Sequence, residues 1–110
     1  MIDWARIREL REEVGAEDFD EVVELFLEEV QSTLDRLKTL TSRDTLEQDL
    51  HFLKGSALSL GFTAFSDLCQ TGERLSSQGR ADEVELREIF DCFDESNTVF
   101  MSEYADRLAA

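Results

Sequence analysis

The sequence predicts an all-α fold: an antiparallel up-and-down four-helix bundle with an additional short N-terminal helix. Its 110 residues include no proline and only five glycines, and 42% are hydrophobic, which suits a single helical domain over residues 1–110. Apolar residues recur every three or four positions in four long segments. Short polar connections separate these segments, so consecutive helices are expected to run antiparallel.

The first helix is short and has clear ends. Asp3 is expected to cap it, and it should stop at Val14 because Gly15 follows. Eleven or so residues cannot complete a core of their own, so we expect this helix to lie across one end of the bundle with Trp4 and Ile7 buried.

The second helix is expected to begin at Asp18, with Glu21 as the capping-box partner three residues later. Gaps of three and four residues give it one buried face about five turns long. The residues of this face are Phe19, Val22, Val23, Phe26, Val30, Leu34 and Leu37.

The third helix is expected to start near Ser42 or Asp44, where Asp44 and Glu47 have capping-box spacing. It should end at Leu60, since Gly61 suits the left-handed position that follows a helix. Its core-facing residues are Leu46, Leu50, Leu53, Ala57 and Leu60.

The fourth helix is expected to be capped by Thr63 and ended by Gly79, and the fifth to be capped by Asp82 with Glu85. The apolar stripe of the fourth is Phe65, Leu68, Cys69, Gly72 and Leu75. The stripe of the fifth is Leu86, Phe90, Phe93, Phe100, Tyr104 and Leu108. The two cysteines, Cys69 and Cys92, lie on apolar stripes and are expected to be reduced core residues.

The single histidine, His51, is predicted to face away from the core. At 100° per residue, it lies about 140° from the direction of the apolar residues of its helix, and Lys54 and Gly55 flank it one turn later. A glycine inside a helix costs about 1 kcal/mol relative to alanine. Close packing cannot offset this cost on an outward face, so we infer that Gly55 gives a second molecule access to the imidazole. Gly72, on the apolar stripe of the next helix, is instead predicted to serve close packing.

Further residues near His51 are predicted to meet a partner. Ser56 and Ser59 place hydroxyls on the same side of the helix, and Leu58 lies close to the histidine stripe. With Phe52 and Gly55, they form the predicted docking surface.

The net charge of −15 excludes several classes of partner. Nucleic acids and anionic membranes both require a positive surface, so neither is expected to bind. No apolar run approaches the roughly 20 residues that span a bilayer, and no signal peptide is evident, so a cytoplasmic location is expected. The initial Met1 and the polar end favour a separate small protein, which we expect to be a monomer.

The chemistry that remains is nucleophilic use of the imidazole. The sequence has no phosphate-binding loop and no G-x-G-x-x-G motif, and one histidine cannot form a histidine-rich metal site. Neutral imidazole can accept a phosphoryl group on a ring nitrogen and pass it on. Without a nucleotide site, the domain would receive that group from another protein.

These residues resemble a known family. The run His51-x-Leu53-Lys54-Gly55-Ser56-x-x-x-Leu60-Gly61 is similar to the motif of the histidine-containing phosphotransfer (HPt) domain, especially its yeast-type members, and the downstream segment LCQTGERL also fits.

The resemblance implies that His51 is phosphorylated on Nε2 and that Lys54 orients or neutralises the phosphoryl group. It also implies that Gly55 leaves room for the partner and that Gly61 ends the motif helix. The implied partners are receiver domains of response regulators and hybrid histidine kinases, which would carry the aspartate and the Mg²⁺. The chain would bind no cofactor and would have no kinase activity.

One position departs from the family pattern. Some members, including the yeast-type ones, have a glutamine 22 residues after the histidine, where this chain has Glu73. A carboxylate there would accept a proton from the ring but repel a phosphoryl group, so two orientations stay open: Glu73 contacts His51, or it turns to solvent.

Two other functions are compatible with the sequence. A degenerate HPt domain could bind a receiver without chemistry, although His51, Lys54 and Gly55 are all present. A carboxylate-bridged metal enzyme would need inward-facing glutamates, whereas the predicted inward stripes are apolar.

Overall fold

The computed structural model describes residues 2–39 and 42–108, the last of them by its backbone alone. Within these ranges the chain forms five α-helices: α1 (Trp4–Val14), α2 (Phe19–Lys38), α3 (Leu46–Leu60), α4 (Thr63–Ser77) and α5 (Leu86–Leu108), with a 3₁₀ turn at Ala81–Glu83. The predicted all-α class is confirmed. None of these helices is apolar over a length that would cross a membrane.

Helices α2 to α5 form the antiparallel bundle. Arg36 near the end of α2 pairs with Asp49 at the start of α3, with 2.5 Å between Nη2 and Oδ1. Phe19 at the start of α2 stacks on Tyr104 near the end of α5, with ring centroids 6.0 Å apart. These contacts connect opposite ends of the helices, so α5 closes the bundle against α2.

Helix α1 lies against the end of the bundle at which α3 turns into α4. The Asp3 N–H donates to the Gly61 carbonyl at 2.7 Å, and this contact ties the start of α1 to that turn. Ile7 is buried, as predicted, whereas Trp4 is only partly buried. One face of the Trp4 indole stacks on Phe100, and the Arg107 guanidinium covers the ring at 5.3 Å from its centroid, so the ring stays at the edge of the core.

The predicted stripes supply the core. All five apolar residues of the α3 stripe are at most 1% exposed, and the same holds for Phe62 and Phe65 at the start of α4. Val22, Phe26, Leu68, Leu75, Leu86, Phe90 and Tyr104 are only partly buried, and the side chain of Leu108 lies outside the described residues. Both cysteines are free thiols, with Cys69 buried and Cys92 partly buried.

The predicted starts of α2 and α3 need correction. Asp18 occupies the N-cap position of α2, but its side chain makes no capping hydrogen bond. Helix α3 begins at Leu46, later than Ser42 or Asp44, and the predicted Asp44 cap is not formed. The preceding turn is held instead by Arg43, whose Nη1 donates to the carbonyls of Ala81 and Val84 at 2.7 and 2.9 Å. This long-range contact fixes the segment in a non-helical conformation.

The starts of α4 and α5 also differ from prediction. Phe62, rather than Thr63, occupies the N-cap of α4, because its N–H donates to the Ala57 carbonyl at 2.9 Å and its ring is buried. Asp82 lies in the 3₁₀ turn and so does not cap α5. The predicted ends are confirmed: α1 stops before Gly15, and Gly61 adopts the left-handed conformation at φ 75°.

Candidate functional site

Helix α3 presents His51 to solvent. Its opposite face, which includes Leu50 and Leu53, is completely buried, whereas the His51 side chain is 70% exposed. The outward placement follows from the apolar spacing of α3, because Leu50 and Leu53 fix the rotation of the helix about its axis.

Glu73 on α4 binds both His51 and Lys54. Its Oε2 lies 2.7 Å from His51 Nδ1, and its Oε1 lies 2.6 Å from Lys54 Nζ. One oxygen therefore serves each partner, and the carboxylate links the outer sides of α3 and α4. Of the two orientations left open by the sequence, the structure shows contact with the ring.

The environment of Glu73 keeps its carboxylate ionised. Its contact with Lys54 is the main cause that lowers its pKa below the ordinary value, and the hydrogen bond from His51 acts in the same direction. Burial opposes this shift, since the side chain is 20% exposed. An ionised carboxylate can only accept hydrogen bonds, so the facing nitrogen of His51 must carry a proton.

The second ring nitrogen of His51, Nε2, is the one that does not face Glu73. With the proton on Nδ1, a neutral imidazole has its lone pair on Nε2. The ring is mostly exposed, so a reacting group can approach Nε2 from solvent. The arrangement thus combines an exposed, oriented imidazole with an adjacent ammonium, and one carboxylate contacts both.

Gly55 leaves open space on the outer face of α3, one turn after His51. A Cβ built at Gly55 would meet nothing within 4 Å, which places the glycine on the outer surface of α3. Gly72 is the opposite case, since a Cβ there would lie 2.7 Å from Leu50 Cδ1. The packing role predicted for Gly72 agrees with this contact.

The other predicted docking residues divide into exposed and buried ones. Phe52 and Leu58 are 40% and 55% exposed, and Ser59 is intermediate. Ser56 is only 7% exposed, so its predicted place on the docking surface is wrong. Its position on α3 lies only about 80° from the core direction, which is close enough for the neighbouring helices to cover a small side chain.

The sequence did not single out the part of α2 that borders this surface. Phe52 forms one side of a shallow groove, whose α2 side consists of Glu28, Glu29, Ser32 and Thr33. Glu28 and Ser32, like Glu29 and Thr33, are four residues apart and so share the outer face of α2. This spacing could have indicated the groove, but any solvent-exposed helix face has the same pattern.

A metal centre has no comparable support. Within residues 2–39 and 42–108, no three His, Cys, Asp or Glu side chains come together as a group that could hold a metal ion. Cys69 is buried, and burial raises the pKa of its thiol to about 12, so it is no nucleophile at neutral pH.

The chain is similar in sequence to a known protein and to a known domain family. The chain is 30% identical over 94 residues to the phosphorelay intermediate protein YPD1 of Candida albicans, a match that covers 81% of this chain and 51% of the relative. The chain thus spans about half the length of that curated relative. No solved structure shows a significant match. The Hpt domain family matches residues 21–109, which is most of the chain. The chain therefore belongs to the Hpt domain family.

Proposed function

We propose that this chain is a histidine phosphotransfer protein that relays a phosphoryl group between receiver domains. His51 accepts the group from a phospho-aspartate receiver domain and passes it to another receiver domain of a multistep two-component phosphorelay. The chain acts as a carrier without kinase activity of its own, and we place it in the cytoplasm as a monomer.

The observation that carries this proposal is the orientation of the imidazole. The Nδ1–H of His51 is bound to Glu73 at 2.7 Å, so the Nε2 lone pair lies on the exposed edge of the ring. An oriented, accessible nitrogen nucleophile is what in-line phosphoryl transfer requires. In the neutral ring with its proton on Nδ1, Nε2 can attack without a base to remove a proton.

The surface around His51 suits a protein donor. Gly55 leaves the approach to the ring open, while Phe52 and Leu58 expose apolar area on either side of it. Such exposed apolar side chains are typical of the centre of a protein interface. The receiver domain would supply the phosphorylated aspartate and the Mg²⁺ that neutralises the transferring group.

The negative charge of the chain favours partners with basic surfaces. The net charge is −15, and the groove beside Phe52 includes Glu28 and Glu29. A receiver with lysine or arginine near its active site would be attracted to this side of α2 and α3.

Incubation with a phosphorylated receiver domain tests the proposal. The chain should acquire a phosphoryl group that is labile in acid and stable in alkali, as expected for phosphohistidine. His51→Gln should take up none, because it removes the chain's single histidine.

A relocated histidine provides the matched control. The double variant His51→Gln, Gln48→His keeps one imidazole exposed on α3 but places it three residues away from the position that contacts Glu73. It should bind the receiver yet remain unlabelled. Equal labelling of His51→Gln and the parent would contradict the proposal, and receiver binding by the parent without transfer would show a binding module instead.

A further inference from the structure

Glu73 would repel a phosphoryl group on His51 and would compete with it for Lys54. The contacts at 2.7 Å to His51 Nδ1 and 2.6 Å to Lys54 Nζ are made by one ionised carboxylate. A phosphoryl group on Nε2 would bring further negative charge to the same imidazole ring. It would also need Lys54, the ammonium three residues from His51, which is already paired with Glu73.

Lys54 has little freedom to satisfy both anions. Its side chain is 25% exposed and Glu73 is 20% exposed, so their ion pair is partly shielded from water. Partly buried pairs are screened less than exposed ones. A phosphoryl group on His51 would therefore have to compete with Glu73 for the lysine.

The proton on Nδ1 also makes it easier for the phosphoryl group to leave His51. During uptake, the Nε2 lone pair forms the bond to phosphorus, and the P–O bond to the donor aspartate breaks with its electron pair leaving on the carboxylate oxygen. During delivery, the oxygen of the receiving aspartate attacks phosphorus, and the P–N bond breaks with its pair returning to Nε2. The proton can stay on Nδ1 through both steps because Glu73 holds it there, so a neutral imidazole is the leaving group.

We propose that Glu73 makes His51 a short-lived phosphoryl carrier, because it holds the Nδ1 proton and competes with the phosphoryl group for Lys54. Glu73 is thus a positioning residue that favours rapid onward transfer over storage. This inference rests on the proposed function for its biological meaning, but the lability itself can be measured without a partner.

The test measures the lifetime of phosphohistidine in the isolated full chain. Phosphoramidate, a small phosphoryl donor, would load His51, and ³¹P NMR would follow the loss of the group. Glu73→Gln keeps the shape of the side chain but removes its charge. Its phosphohistidine should last about five-fold longer, the ratio expected when a charge-assisted hydrogen bond becomes a neutral one.

A double-mutant cycle isolates the competition for Lys54. In a Lys54→Gln background, the gain in lifetime from Glu73→Gln should be clearly smaller, since no ammonium is released to the phosphoryl group. Asp67→Asn is the matched control, because Asp67 is an exposed carboxylate on the same helix, and its removal should leave the lifetime unchanged.

The ring itself provides a readout that a purely structural role would not move. The chain has one histidine, so its ¹⁵N ring signals are unambiguous. The unphosphorylated parent should carry its proton on Nδ1, and Glu73→Gln should shift the proton partly to Nε2. Unchanged circular dichroism would show that the variant remains helical.

The outcomes separate the inference from the proposed function. An unchanged lifetime or an unchanged ring tautomer in Glu73→Gln would overturn the role of Glu73, even if the parent exchanges phosphoryl groups with receivers. An equal gain in both lysine backgrounds would overturn the competition for Lys54. A parent that shows the predicted lifetimes but accepts nothing from any receiver would leave the lability intact and refute the relay function. A parent that neither phosphoramidate nor a phosphorylated receiver can load on His51 would overturn both.

Discussion

Two glycines within helices of this protein have opposite surroundings. Gly55 on α3 faces open space, and a Cβ there would meet nothing within 4 Å. Gly72 on α4 faces α3, and a Cβ there would lie 2.7 Å from Leu50 Cδ1 and 3.2 Å from Val84 Cγ1. A mid-helix glycine is unfavourable in both places, so each must be compensated differently.

The difference separates a glycine that serves the packing of the fold from one that leaves the surface near His51 open. Gly72 permits the close approach of α4 to α3, and the next residue in the chain, Glu73, then reaches His51 and Lys54. Gly55 contributes nothing to the packing of this chain, and the space it leaves is available to a second molecule. Gly72 therefore allows the contacts that orient His51, and Gly55 leaves open space on the outer face of the same helix as His51.

The largest expected effect on stability comes from Gly72→Leu. The added side chain would overlap the completely buried Leu50, and overpacking of this kind should lower the free energy of unfolding by about 3 kcal/mol. Urea denaturation followed by circular dichroism would measure it. A loss smaller than that of a conservative surface substitution would show that α4 can move away from α3 and that the close contact is not needed.

Gly55→Leu should reverse this pattern. The variant should fold at least as well as the parent, because leucine is a better helix former and has open space there. Phosphotransfer from a receiver should fall about 10- to 100-fold, since displacement of the reacting groups by about 1 Å is enough for such a loss. Ala105→Leu, a small-to-large change at an exposed position of α5, serves as the control and should transfer normally. Unfolding of Gly55→Leu with normal transfer per folded molecule would contradict the outward placement.

The sequence predicted the orientation of a side chain correctly wherever the apolar face of its own helix determined that orientation. Apolar spacing on α3 was enough to predict that His51 and Gly55 point outward and that Leu53 points inward. The apolar stripe of α4 likewise predicted that Gly72 packs closely. The starts of helices were harder to predict from the sequence. The segment before α3, for example, is held by Arg43, which binds the carbonyls of Ala81 and Val84, roughly forty residues away in the chain.

Contacts between helices were also beyond the sequence. Local spacing does not fix the side chain of Glu73, which could equally have pointed to solvent, and its contact with His51 depends on the approach of α4 to α3. The prediction that Ser56 lies on the docking surface was wrong for a related reason. Its angle on α3 was intermediate, and only the positions of neighbouring helices determine that it is buried.

Gly55→Ala should give a smaller effect that sharpens the comparison. Alanine in a helix is about 1 kcal/mol more favourable than glycine, and nothing within 4 Å opposes its methyl group. The free energy of unfolding should therefore rise by up to this amount, as measured by urea denaturation. Gly72→Ala is the matched variant and should not gain, because its methyl group would press on Leu50. Equal gains in both variants would remove the distinction between the two glycines.

The smallest expected effect concerns acid stability at the α3–α4 contact next to Gly72. The pKa of Glu73 is lowered in the folded protein, chiefly by Lys54, from its ordinary value of 4.5. Its contribution to stability is therefore fully present above pH 4.5 and is lost as the pH falls through the lower folded pKa. The contribution should be less than about 1 kcal/mol, because both partners keep some contact with water.

The difference in the free energy of unfolding between the parent and Glu73→Gln separates the contribution of the Glu73 charge from those of the other carboxylates. The difference should shrink as the pH is lowered from 4.5 towards 3, since protonation of Glu73 removes the charge that distinguishes the two side chains. Asp67→Asn, on the same helix but exposed, should show a flatter difference. If the Glu73→Gln difference keeps its value down to pH 3, the ion pair with Lys54 contributes nothing to folding, and the close approach permitted by Gly72 serves only the orientation of His51.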